Sequence, residues 1–185
     1  MTGERQIHNL ALIGFMGTGK SSVGRLAAAQ LGYELIDTDE WIERRAKKSI
    51  TKIFAEDGEA AFREIERQLV AEMTGWRQKI ISTGGGLAAN DANLASLKQH
   101  ALIVCLWATP EAIWERVRHQ THRPLLQGPD PLGKIRSLLE QRTQFYRKAD
   151  VLVHTGTRSV REVAQHVLHQ FQIARARVPD GERTH

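Results

Sequence analysis

The 185-residue chain is 41% apolar and 25% charged, with a formal charge of +5, a balance that fits one folded domain and excludes a disordered chain. No apolar run approaches the roughly 20 residues that cross a bilayer, residues 1–10 hold no hydrophobic signal core, and the single cysteine, Cys105, cannot form an internal disulfide. A cytoplasmic protein with a buried, unreactive thiol is expected, and no membrane partner.

The arginines are spread along the chain, with tight basic clusters only at residues 44–48 and 175–177. Nucleic-acid binding asks for a basic stripe with stacking aromatics, so no nucleic-acid partner is expected. A site that holds several phosphates and an anionic small molecule would also need surplus arginine.

In chain order the pattern is strand, turn, helix, repeated. Residues 7–13 form a nearly continuous apolar stretch, as in a strand covered on both faces. A glycine-rich turn follows, then an amphipathic helix over 21–31 closed by Gly32. Residues 33–36 read as a second strand that ends in Asp37-Thr38-Asp39, and helical patterning continues to about residue 73, with Ser49 and Asp57 as helix starts. Residues 79–82 are a third strand, leading through Thr83 into Gly84-Gly85-Gly86 and a helix near 91–99. A fourth strand at 102–106 precedes a helix opened by Pro110, whose missing N–H costs little there.

Residues 120–131 break the rhythm with three prolines and a glycine, the signature of a lid or binding loop. A helix over 132–149, a fifth strand at 151–153 and a helix over 159–171 complete the pattern, and residues 175–185 are expected to be a disordered tail. No repeat or domain boundary is visible, so residues 1–174 are read as one domain. Alternating strands and helices imply a parallel sheet with helices on both faces. Ligands then lie beyond the carboxyl ends of the strands.

Gly14-Phe15-Met16-Gly17-Thr18-Gly19-Lys20-Ser21 satisfies the phosphate-binding P-loop pattern, between a strand and a helix as its mechanism requires. Backbone N–H groups over Gly17, Thr18, Gly19 and Lys20, with Ser21 and Ser22 in the first helical turn, would cradle ATP phosphates. Lys20 would reach the β- and γ-phosphates and Ser21 would ligate Mg²⁺. Asp37 and Asp39 leave strand two together; one can hold a Mg²⁺-bound water while the other accepts a hydrogen bond from an attacking hydroxyl, although Asp39 could equally cap the following helix. Arg63 shares a helix face with Glu59 and Glu66, which is either a solvated ion-pair face or part of a site. The three glycines let an anion or a ring approach the backbone closely. Arg123 and Arg142 are candidate clamps for carboxylate or phosphate.

Together Gly14 to Ser21, Asp37-Thr38-Asp39, Phe62-Arg63-x-x-Glu66, Gly84-Gly85-Gly86, Arg123-Pro124-Leu125-Leu126 and Arg142-x-x-x-Tyr146 resemble the shikimate kinases in order and spacing, over roughly residues 7–171. The resemblance implies an α/β three-layer sandwich with a five-stranded parallel sheet, of the P-loop, nucleoside-monophosphate-kinase type. It also implies a monomer that transfers the γ-phosphate of ATP to the 3-hydroxyl of shikimate with Mg²⁺. By that resemblance Asp37 binds Mg²⁺ through water and Asp39 holds the reacting hydroxyl. Arg63, Arg142 and the backbone at Gly85 and Gly86 hold the shikimate carboxylate, with Glu66 steadying Arg63, and Gly84 is a further substrate-binding position. Arg123 closes over the transferring phosphate from a lid at about 119–131, Arg116 stacks on adenine and Arg158 stands at a further adenine-side position. Phe54 and Phe62 flank the substrate ring, and either Ser82 or Thr83 helps order the metal shell. A gluconate-type kinase would share the cradle and the aspartates but has no reason to combine the glycine triplet with Arg63 and Arg142. A nucleic-acid-dependent ATPase would need a polymer to stimulate it.

Overall fold

Five short apolar segments become the strands of one parallel sheet in the computed structural model, which describes residues 5–84, 86–119 and 128–176. The strands are β1 (Asn9–Ile13), β2 (Glu34–Asp37), β3 (Lys79–Ser82), β4 (Ala101–Trp107) and β5 (Val151–His154), in the order β2-β3-β1-β4-β5. Among the described residues the helices are α1 (Lys20–Leu31), α2 (Thr38–Ala46), α3 (Ile50–Glu56), α4 (Gly58–Met73), α5 (Asp91–Lys98), α6 (Pro110–Val117), α7 (Pro131–Tyr146) and α8 (Val160–Ala176), with a 3-10 turn at Leu87–Ala89.

The period-two geometry of a strand sends alternate residues to opposite faces. Leu10, Leu12, Val104 and Leu106 pack with Val23 and Ala27 of α1 and Val167 and Phe171 of α8. Ala11, Ile13, Ile103 and Cys105 face a second core built from α4, α5, α6 and α7, with Leu69, Leu94, Ile113 and Ile135 at its centre. All five residues of β1 are buried, which is why its sequence is apolar on both faces. Burying each such leucine or isoleucine contributes about 1.5–3 kcal/mol relative to exposure.

The expected five-stranded parallel sandwich is the fold observed, with boundaries that move by local chemistry. Asp37 caps α2 by accepting from the Asp39 backbone N–H at 3.1 Å. Asp39 therefore stands in the first helical turn instead of on the strand, and it is not the cap. Ser49 caps α3 as expected, accepting from Lys52 N. α7 ends at Tyr146, three residues early, and α8 runs to Ala176, five residues late. The extension follows from apolar spacing, because Val163, Val167, Phe171 and Ala174 continue one buried stripe. Arg175, expected in the tail, lies in this helix and donates to Tyr33 Oη at 3.0 Å. Gly85, the whole Arg123-Pro124-Leu125-Leu126 motif and residues 177–185 lie outside the described residues.

Candidate active site

The sheet's carboxyl edge opens into a cleft of about 720 Å³ between the P-loop, α2, α3, α4 and α7. The P-loop leaves β1 and turns into α1 with Gly14, Gly17 and Gly19 all at positive φ, a curl that side chains resist and that turns successive N–H groups inward. Gly17, Gly19, Lys20, Ser21 and Ser22 line the cleft. Thr18 does not, because its buried side chain is used inside the loop, donating to Phe15 O at 2.8 Å. Lys20 Nζ donates to Gly14 O and Phe15 O, each at 3.0 Å, so the ammonium is held over the bowl of the loop.

One carboxylate oxygen of Asp37 accepts from Ser21 Oγ at 3.4 Å and from Ser82 Oγ at 3.2 Å. Its other oxygen caps α2. The two hydroxyls weighed at the end of β3 are thereby distinguished: Ser82 faces Asp37, while Thr83 is turned inward onto Leu12 O at 3.1 Å. Ser21, Asp37 and Ser82 form an all-oxygen donor set, the hard chemistry that suits Mg²⁺ completed by phosphate and water. Among the described residues no group of three or more acidic, histidine or cysteine side chains forms a self-sufficient metal site.

Asp39 and Gly84 meet across the cleft. A Cβ at Gly84 would overlap the Asp39 carboxylate, and the Gly84 N–H donates to Thr38 Oγ1 at 2.7 Å. Only glycine leaves room for the carboxylate to lie over the backbone there. Burial, then the charges of Asp37 and Glu66, push the Asp39 carboxyl up to about 6, against the pull of Lys20. Arg63 likewise lies over Gly86, where a Cβ would overlap the guanidinium. Its Nη1 donates to Glu66 Oε2 at 2.6 Å and its Nη2 to Glu59 Oε1 at 3.1 Å. Glu66 is 2% exposed and Arg63 39%, so the sequence pattern resolves into a buried carboxylate steering a half-exposed guanidinium into the cleft. Burial raises the Glu66 pKa and the Arg63 bond opposes the rise.

Arg142 reaches the same cleft from α7 and lies 5.4 Å over the Phe15 ring. The rings of Phe54 and Phe62 stand 4.8 Å apart; Phe54 is exposed, whereas Phe62 is 5% exposed and forms the wall behind it. The two residues expected on the adenine side stand outside this cleft. Arg116 is tied between Gly17 O at 3.2 Å and Thr155 Oγ1 at 3.1 Å, joining the P-loop to the β5–α8 turn. Arg158 is exposed on that turn. Neither lines the cleft that holds Asp39. Residues to which the sequence assigned no role also line it, among them Met16, Glu40, Glu43 and Ile50. The four-residue spacing from Asp39 to Glu43 was the available signal, since it puts both on one helical face.

A parallel sheet ordered 2-3-1-4-5, with a P-loop at the end of its central strand and acidic and basic groups facing it, defines a P-loop kinase. The family model of shikimate kinase matches residues 16–172. A shikimate kinase from Thermodesulfovibrio yellowstonii is 41% identical, over 89% of this chain and 95% of its own. A solved shikimate kinase from Acinetobacter baumannii, in complex with shikimate, superposes with a TM-score of 0.83 at 35% identity, covering 91% of this chain and 95% of its own. A gluconokinase from Sinorhizobium meliloti is alike in fold alone, with a TM-score of 0.63 at 16% identity. The chain belongs to the shikimate kinase family.

Proposed function

We propose that the protein transfers the γ-phosphate of ATP to the 3-hydroxyl of shikimate, using the groups gathered in the cleft as follows. The observation that carries this reading is the meeting of a P-loop lysine, a buried aspartate and an arginine braced by a buried glutamate in one cleft. The P-loop backbone and the N-terminus of α1 hold the phosphates. Lys20 moves from its carbonyl partners onto the β- and γ-oxygens, where charge accumulates during transfer. Ser21, and Asp37 through water, would hold Mg²⁺. When bound, Mg²⁺ neutralises phosphate charge.

Arg63, Arg142 and the backbone at Gly85 and Gly86 hold the shikimate carboxylate, with Glu66 fixing the Arg63 fork, while the Gly84 N–H stays with Thr38. Phe54 covers the ring. Asp39 then accepts the hydrogen bond of the reacting hydroxyl, orienting its lone pair along the line of transfer. The transition state of phosphoryl transfer is loose, so positioning and charge neutralisation outweigh proton removal. Arg123 is assigned to the closing lid and to the transferring phosphate, and Arg116 and Arg158 to the adenine side; the hydrogen bonds from Arg116 to Gly17 and Thr155 keep it beside the P-loop. The protein is assigned as a cytoplasmic monomer. The product identifies the reaction: ³¹P NMR of a mixture of protein, Mg²⁺, ATP and shikimate should show a new phosphate monoester coupled to the proton on carbon 3. A monoester at another carbon, or inorganic phosphate alone, would refute the reading.

A further inference from the structure

Arg63 has two glutamate partners, whereas Arg142 has no carboxylate partner among the described residues. Its guanidinium instead lies over the ring of Phe15, a P-loop residue that is 1% exposed. The ring attracts the cation through its π face but accepts no ordinary N–H hydrogen bond, so the guanidinium N–H groups are left to be satisfied by something else. One turn further along α7, on the same helical face, stands Tyr146. It is 7% exposed, and its hydroxyl is buried with no hydrogen bond of full geometry among the described residues, although the Arg142 guanidinium already stands close enough to act on it as a hydrogen-bonding neighbour. A buried hydroxyl without a partner is disfavoured unless another state satisfies it. The charged and titratable groups that face it are Arg142 and, from β4, Cys105. The thiol is held neutral by burial, which leaves the guanidinium as the strong donor at hand.

We propose that Tyr146 is a positioning residue for the carboxylate clamp: its hydroxyl oxygen accepts an N–H from Arg142 and turns the rest of the guanidinium edge toward the acceptor's carboxylate. Phe15 holds the cation in place and Tyr146 fixes the direction of its N–H edge. An anion in the cleft draws Arg142 fully into this register, and the loose contact tightens into a complete hydrogen bond in the occupied state. The inference rests on the assignment of Arg142 as a carboxylate partner made above.

The test is a double-mutant cycle on the full chain with Tyr146→Phe, Arg142→Ala and both together, read as separate kcat and KM values for shikimate and for ATP. Tyr146→Phe keeps the ring and removes only the hydroxyl. It should raise the shikimate KM by about three- to tenfold, the worth of one ordinary hydrogen bond, with the ATP KM unchanged and the Tm no lower. In the Arg142→Ala background the same change should have no further effect. An unmoved shikimate KM in an active Tyr146→Phe enzyme would overturn this inference alone, as would an equal rise in both backgrounds. No turnover of shikimate by the unaltered protein would overturn the substrate assignment and this inference with it.

Discussion

Asp39 shows how the site makes a carboxyl harder to ionise than it is in solvent. Its carboxyl titrates at about 6, displaced upward from 3.8 by burial and by Asp37 and Glu66. Because the folded pKa lies above the unfolded one, folding takes up a proton between those values. The stabilising contribution is complete below about 3.8 and is lost as pH rises through about 6. At pH 7.5, without nucleotide or metal, the ionised group therefore opposes folding. Asp39→Asn should be more stable than the unaltered protein by on the order of 1–2 kcal/mol, and that advantage should vanish as pH falls to about 4. The same variant should lose about 100-fold or more in kcat while still binding ADP. Urea denaturation at the two pH values, with nucleotide titration, checks both halves, and a variant less stable at pH 7.5 contradicts the electrostatic account. With the carboxylate as the working form, kcat/KM should fall as pH drops below about 6. Gly84→Ala probes the same contact from the other side, since its methyl group would displace the Asp39 carboxylate. It should lower kcat at least tenfold, the loss that about 1.4 kcal/mol of transition-state stabilisation entails, with ADP affinity held. Unchanged turnover in Gly84→Ala would show that the close approach is dispensable.

The strands deliver function at one end and fold stability at the other. At the amino ends Asn9 is fully buried and joins three segments: its Nδ2 donates to Trp76 O at 2.8 Å, its Oδ1 accepts from Lys79 N at 3.0 Å, and His100 Nδ1 lies 3.0 Å from Nδ2. Burial, with Arg77, His8 and Arg5 nearby, lowers the His100 pKa to about 4, so the ring is neutral at ordinary pH and its Nδ1 can accept from Asn9. Asn9→Ala strands a backbone N–H and a carbonyl and should cost about 2–4 kcal/mol of stability. Thermal melts should show the loss while kcat and both KM values stay near the unaltered values. A kinetic defect as large as the stability defect would mean that the two ends of the sheet are coupled.

What was legible in the sequence follows the same division. The apolar runs of β1 and β4 and the glycine spacing of the P-loop are local patterns that tertiary structure has little freedom to change. The cap at Asp37 moved Asp39 into α2, because two aspartates flanking a threonine compete for one capping position. Arg63 could not be assigned from spacing alone, since only the fold buries Glu66 and exposes one side of its partner. The overlap of Asp39 with Gly84, and the attachment of Arg116 to Thr155, depend on chain crossings that no local pattern records.

At the scale of the molecule, the topology brings the P-loop, Asp37, Asp39, Arg63 and Arg142 to one cleft, the groups proposed above to hold the phosphate donor and the anionic acceptor. β1 supplies the P-loop, β2 the aspartates and β3 the glycine turn, so three adjacent strand ends converge on one cleft. The net charge of +5 suits two anionic ligands, while the glutamates around Arg63 confine one cation to a fixed direction. Lys20→Ala should fold, keep its Tm and lose turnover about a thousandfold, as expected when a cation aimed at the transferring phosphate is removed. Retained turnover in a folded Lys20→Ala protein would separate the P-loop from the chemistry.

The central claim is that this cleft selects shikimate as acceptor. It is tested most directly by the rate of ADP release from Mg²⁺-ATP with shikimate, with gluconate and with no acceptor. The account predicts rapid, saturable release with shikimate alone, abolished in Asp39→Asn. Release that is equally fast without an acceptor, or faster with gluconate than with shikimate, would contradict it.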